Sequence, residues 1–551
     1  AFPILKQLNR EIVIGKRPKA EAFSSGLKQL HLLQILETNS CRIQGIANII
    51  KMFVKWVSVS KIIRKLLIKI LLGDKVMSFL RRLLAINFVS VTLLLALGNS
   101  SLAAAQSDEV TFHKDIEPIL QRSCQNCHRD GGVGPMPLVT YDQVAPFAGL
   151  IEYKTGLRDR AGAMPPWYME KNIGIQGYKN DPSLSDTEIA AISDWARNGA
   201  PRGDSTDSPE PLTFDDSLKW TAGQPDLIVK TNSVTKLSGT ADWWGEIDRV
   251  PVGLDEDRYV KSVEVVEVND VDNQAGTGRD TVGGRYIFHH MIWSTADLDE
   301  NGNRIEDSVT GWPVHEVGRN PDIFDPEGGR LLRAGSYIYS DSVHLHSNGK
   351  DTTGHLEIGF RFHPADYEPK YERVLLGLGN GVDISIAGNQ SNQELHAYTV
   401  LENHTKIITF EPHLHAPGER MCLEAIWGYT VETLSCVGYD HNWVRGYAYE
   451  DDATPLLPKG TILHIVGYMN NTETNPNVPD PRNWQGSGNR SVTNMFIDLG
   501  MRVKMNEEQF FEEMENRRQA LNLGPNDHII GCPLCGAPLV APVLESVTAS
   551  D

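Results

Sequence analysis

The chain changes texture three times along its length. Up to residue 76, apolar residues are interleaved with lysine and arginine, as in "KIIRKLLIKILL". Leu83 to Leu97 is then an apolar run too short to span a bilayer comfortably. Between residues 108 and 200 the apolar positions recur at helical spacing at both ends. "EVTFHKDIEPILQRSC" is one such stretch; "SLSDTEIAAISDWARNGA" is the other, opening on a Ser-Asp cap and closing at Gly199. From Pro225 onward the period shortens to two. Runs such as "YVKSVEVVEV", "HLEIGFRF", "KIITF" and "GTILHIVGYM" are separated by Gly, Asn, Asp and Pro, which predicts antiparallel sandwiches rather than alternating strands and helices. "NEEQFFEEMENRRQALNLG" predicts one late helix.

These textures divide the chain. The stretch from Met77, with Arg81 and Arg82 before the apolar run and Ala103-Ala104-Ala105 after it, reads as a secretory signal over residues 77–105. Residues 1–76 then form a leader upstream of the true start, or else a basic amphipathic segment that lies on an anionic membrane surface. A helical domain is expected over 106–205, a Pro/Asp/Ser-rich linker over 206–224, β-sandwich domains over 225–400 and 401–510, and a helix with a cysteine-bearing tail over 511–551. Residues 1–105 carry a net charge of +12, so their removal takes the chain from −19 to −31. That acidity disfavours nucleic acid and anionic membranes as partners and suits a basic redox partner. A periplasmic or secreted protein with no stable membrane span in its mature form is the expectation.

Seven cysteines add chemistry. Cys41 lies in the leader. Cys422/Cys436 are expected to staple two neighbouring strands, and Cys532/Cys535 in "GCPLCG" to form a structural tail disulfide, with a redox or metal role as the alternative. The remaining pair stands in "SCQNCHRDGGVGPMPL". Cys124, Cys127 and His128 have the Cys-x-x-Cys-His order of a c-type haem attachment site, in which two thiols bond the porphyrin vinyl groups and the histidine ligates iron. Met164, in the rigid turn "AGAMPPWYM", is the expected sixth ligand; Met136 and Met169 compete with it.

Histidines cluster in the β region. "YIFHHMIWS" holds His289 and His290, "SVHLHSNGK" holds His344 and His346, and "FEPHLHAPG" holds His413 and His415. His-x-His on a strand puts both imidazoles on one face, whereas adjacent histidines need a bulge or opposite rotamers. Met495, in "RSVTNMFIDLG", adds a thioether. Imidazole and thioether, with no carboxylate or thiolate in the motifs, point to copper rather than to zinc or non-haem iron. "DLDENGNRIED" resembles the start of a calcium loop but has Ser308 at the twelfth position, so an Asn-Gly hairpin turn is expected there.

In order and spacing, these histidines and the methionine resemble the copper type II, ascorbate-dependent monooxygenases, the family of peptidylglycine α-hydroxylating and dopamine β-monooxygenases. The likeness extends over roughly residues 108–510 and is greatest to bacterial members that place a cytochrome c domain before the copper core. The resemblance implies a small all-α cytochrome c domain followed by two jelly-roll-like β-sandwich domains with one copper on each. His289, His290 and either His344 or His346 would hold the electron-transferring copper. His413, His415 and Met495 would form the catalytic copper site. Peptide-hydroxylating members have an Arg two positions before the His-x-His, where this chain has Glu411. That residue would repel a peptide C-terminus, and is expected to meet a cationic or hydroxylated substrate or to face solvent.

The function expected is an exported haem c/copper monooxygenase that uses O2 to hydroxylate a small organic substrate, with the haem passing electrons from a redox partner protein or small reductant to the electron-transferring copper. Two alternatives remain: a non-catalytic haem/copper electron-transfer protein, and a copper oxidase or reductase of a small inorganic species.

Overall fold

The computed structural model describes residues 109–536, apart from 131, 133, 215–219, 272–284, 375–377, 381–382 and 489–492. The expected leader and secretory signal, part of the expected linker and the end of the tail lie outside the described residues. Helices Glu117–Ser123, Ala148–Gly156 and Asp186–Arg197 enclose a core of Phe112, Ile116, Leu120, Val144, Ile151, Ile192 and Trp195. The third begins at a capping box in which the Ser185 hydroxyl accepts from Glu188 N and the Glu188 carboxylate accepts from Ser185 N. It stops where Gly199 takes a positive φ and Ala200 N turns back to Trp195 O.

The span 106–205 is not one self-contained domain. Trp167, Met169, Ile175 and Tyr178 pack into the core of the second β region, and Met169 forms an antiparallel bridge to Val437. Local spacing predicts the flanking helices but carries no information on which core the intervening loop joins.

The rest is mostly antiparallel sheet, consistent with β-sandwich domains. In the first β region one sheet runs Leu227–Lys230, Thr352–Phe362, Arg258–Asn269, Arg330–Leu332. The other runs Trp243–Gly245, Tyr337–Leu345, Phe288–Ala296, Thr310–Gly311, with His315–Glu316 also paired to Phe288–Ala296. Val260, Val263, Phe288, Met291, Trp293, Ile358 and Phe360 share the core of this region.

In the second β region Gln390–Val400, Ile462–Asn471, Gly418–Trp427 and Thr430–Gly438 form the main sheet. The boundary expected at residue 400 is therefore corrected: Gln390–Val400 pairs with Ile462–Asn471 and belongs to the second region. Alternation identifies a strand, while its partner is set by distant residues. A smaller sheet places Phe496–Asp498 between Leu378–Asn380 and Pro412–Leu414.

Cys422 and Cys436 are cross-strand partners joined by a disulfide, the strand staple expected from the sequence. Cys532 and Cys535 are disulfide-bonded and buried in the first region's core. Beside them lie Phe510 and Met514 of the helix Glu507–Ala520. The late helix and tail thus form part of a β-region core, and the helix starts at Glu507, before the boundary expected at 511. The stretch from Asp297 is a hairpin closed by Gly302 N to Asp299 O, with Asp299 Oδ1 accepting from Asn301 N and Asn303 N. Among the described residues no helix is long and apolar enough to cross a membrane.

Candidate metal centre

The expected irregularity at His289-His290 is present. His344 pairs with His290 and Leu345 with Phe288, so His289 is the extra residue of a β-bulge in the Phe288–Ala296 strand. The bulge lets two adjacent histidines serve one site. Ligand atoms of His289, His290 and His344 lie within 4.8 Å of one another. His344 stacks on its cross-strand neighbour Trp244 at 4.2 Å, and its Nε2 lies 3.0 Å from Asp242 Oδ2. His346 falls outside that group of three, but its ring is 5.3 Å from that of His289.

His413 and His415 flank Leu414 at the end of the Pro412–Leu414 strand, their ring centroids 5.3 Å apart. His413 Nδ1 is 2.8 Å from Glu316 Oε1, and His415 Nδ1 donates to the Thr493 carbonyl at 2.8 Å. Met495 is half-buried and immediately precedes Phe496, the cross-strand partner of Leu414.

The two histidine groups meet around residues that carry no motif. Glu316, buried, pairs with His290 in the sheet while its carboxylate holds His413. His441, from the loop after Thr430–Gly438, has its ring 4.9 Å from His289 and 6.3 Å from His415. The structure thus brings seven imidazoles, from four separate chain segments, into one neighbourhood. Neither Glu316 nor His441 stands at a diagnostic spacing, so pattern reasoning missed both.

Glu411 neither meets solvent nor offers a free charge. It is buried and forms a two-pronged ion pair with Arg319, which also binds Asp322 Oδ1 at 2.6 Å. Burial opposes the charge on Arg319, but Asp322 and Glu411 outweigh it and hold the guanidinium firmly protonated. The substrate-facing and solvent-facing roles expected for Glu411 are both corrected: a lone residue offset in the sequence cannot reveal a counter-ion 92 positions away.

The electrostatics suit cation binding. Burial, and then the neighbouring imidazoles, pull His289 well below its usual range and His290 and His415 to about 3. His346 and His441 fall to about 4 for the same reasons. Neutral rings keep the lone pairs a metal needs. Burial would raise Glu316, but His413 and Arg319 draw it down to about 2. Several buried ring nitrogens have no hydrogen-bond partner: His289 Nδ1, His344 Nδ1, His346 Nε2 and His441 Nδ1. Buried polar atoms are rarely left so, and imidazole nitrogens fit copper.

In the helical region Cys124 and Cys127 are free thiols. His128 Nδ1 lies 3.0 Å from the Met136 carbonyl, which requires Nδ1 to donate and leaves Nε2 for a ligand. A side chain on Gly134 would meet His128 Nδ1 at 2.6 Å, so only glycine fits there. Met164 lines a cleft of about 240 Å³ with Thr155, Pro165, Trp167, Leu184 and Ile189. Met136 packs against the helical core, and Met169 is buried in the second β region, which removes it from contention.

No family model matches the chain, and no curated protein matches it. Among solved structures it is similar to one titled "Recombinant peptide: N-glycanase F (PNGase F)". Identity is 8% over 51% of this chain and 96% of that one, with a TM-score of 0.24. A superposition that loose assigns neither fold nor chemistry.

Proposed function

We propose that this chain is an exported monooxygenase that carries a covalent c-type haem and two coppers and hydroxylates a small organic substrate with O2. In this reading the helical region is the cytochrome c domain and the β regions are the two copper domains. The observation that carries it is the group of His289, His290 and His344, with His413 tied to the His290 partner Glu316 and with His289 Nδ1 and His344 Nδ1 buried without a hydrogen-bond partner. When bound, the coppers would supply one-electron transfer and oxygen chemistry, and the haem the electrons.

The chain's own contribution follows from its hydrogen bonds. Asp242 takes the Nε2 proton of His344 and leaves Nδ1 free. Glu316 and the Thr493 carbonyl accept hydrogen bonds from the Nδ1–H groups of His413 and His415, which leaves Nε2 as the ligating atom of each. Met495, next to the strand partner of Leu414, would supply the thioether of this site. His128 is oriented in the same way by the Met136 carbonyl, next to two thiols able to bond vinyl groups, and Met164 is the proposed sixth ligand. Arg319 is committed to Glu411 and Asp322, so it offers no anchor for a substrate carboxylate. This favours a small substrate without an anionic end, not a peptide C-terminus.

Export is supported by the two disulfides. The acidic surface suits a basic redox partner, although a small reductant would serve equally.

The test is the haem and copper content of the mature protein, with copper followed by EPR in wild type and in His413→Ala. Two coppers and one haem per chain, with one copper lost in the variant, are expected. Haem without copper, or copper indifferent to His413→Ala, would overturn the proposal.

A further inference from the structure

Six of the seven clustered histidines come from paired motifs; His441 does not. It stands alone in the loop between strands Thr430–Gly438 and Tyr447–Ala448 of the second β region. Its neighbour His289 belongs to the first. We propose that His441 is a further ligand of the metal at the His289 cluster, so that this centre is completed by a side chain crossing from the other β region. The inference rests on the reading that these imidazoles hold metal.

Distance is the first argument. The ring of His441 is 4.9 Å from that of His289, against 4.8 Å for His344 and 5.3 Å for His346. A residue outside every motif is therefore as close to His289 as the motif histidines are. His415, at 6.3 Å, is the more distant neighbour, which assigns His441 to the first cluster.

The second argument is chemical. His441 is 9% exposed, and its Nδ1 has no hydrogen-bond partner. A histidine serving only as core would satisfy its buried ring nitrogens from a backbone or side-chain group. Here the orphan nitrogen stands among three others, on His289, His344 and His346. Neutral imidazoles gathered with lone pairs unsatisfied repel one another, and a soft cation accepts all of them at once.

The third is mechanical. The loop that presents His441 is fastened on both sides. Asp440 Oδ2 accepts from Gly162 N at 2.8 Å and from the Tyr168 hydroxyl at 3.3 Å, and Asp440 Oδ1 accepts from Asn442 N. Val444 N donates to Val317 O, tying the loop to the first β region two residues from His315. Gly162 lies two residues before Met164, so the same loop also joins the metal centre to the helical region.

Copper(II) titrated into the full mature protein, followed by EPR and X-ray absorption, tests this in wild type and in His441→Gln. The expected result is at least a tenfold weaker first-cluster copper, an altered EPR spectrum and one fewer imidazole scatterer. The copper that is lost in His413→Ala should persist. Unchanged affinity and spectrum in a folded His441→Gln would overturn the proposal while leaving the copper reading intact. Wild type that binds no copper would instead overturn the reading beneath it. Should His441→Gln fail to fold, His441→Cys loaded with cobalt(II) decides: a thiolate-to-cobalt absorption supports ligation, and its absence in the folded variant refutes it.

Discussion

Behind four of the candidate ligands stands a group that fixes which nitrogen is free. Glu316 holds His413, Asp242 holds His344, and the carbonyls of Thr493 and Met136 hold His415 and His128. Such partners orient the ring, and losing one costs about 10–100-fold in metal affinity. Glu316→Ala is therefore expected to weaken the copper at His413/His415 by about that factor, with Glu316→Gln, which still accepts a hydrogen bond, falling between it and wild type. Competitive titration against a copper chelator measures both. Equal affinity in Glu316→Ala and wild type would show that Glu316 does not orient His413. At this scale the ligands were legible because histidine motifs are local. Glu316 was not, since a carboxylate next to His315 has no signature until a distant strand brings His413 to it.

Among the elements, the short strand Phe496–Asp498 decides whether the second histidine pair is held. Its Asp498 accepts from Glu411 N and Gly500 N and forms a fully buried ion pair with Arg502. Asp498→Ala leaves Arg502 buried without its partner, a change that costs about 3–5 kcal/mol. Denaturant unfolding should register that loss, and copper at His413/His415 should weaken with it, because the same strand pairs with Pro412–Leu414. A stability change under about 1 kcal/mol would mean that Arg502 is solvated or paired elsewhere. The period-two runs identified the long strands Arg258–Asn269, Thr352–Phe362 and Ile462–Asn471, and the adjacent histidines called for a bulge or opposite rotamers, of which the bulge formed. Short strands such as His315–Glu316 were illegible, since two residues carry no period.

Across the whole molecule, the helical region is fastened next to the candidate metal centre at two places. Arg285 Nη1 donates to Gly132 O in the loop that follows Cys127 and His128, four residues before His289, and Gly162 binds Asp440 beside His441. Arg285→Ala should therefore leave haem content unchanged and slow reoxidation of the reduced haem by oxygen and substrate, read by stopped-flow absorbance. Reoxidation at the wild-type rate would remove this contact from the proposed electron path.

The sequence by itself determined the chemistry available: a thiol pair with an adjacent histidine, three histidine pairs, a methionine in a strand-like run, and the helical and sheet periods that surround them. Spacing within a few residues reports side-chain direction, and that information is local. Only the tertiary structure decided which groups meet. It joined His290 to His413 through Glu316, committed Arg319 to Glu411, brought His441 between the clusters, and sent residues 167–178 into a β-region core. Each of these is a pairing across tens to hundreds of residues, set by strand partnership and by how apolar faces are buried, and no short window of sequence encodes either.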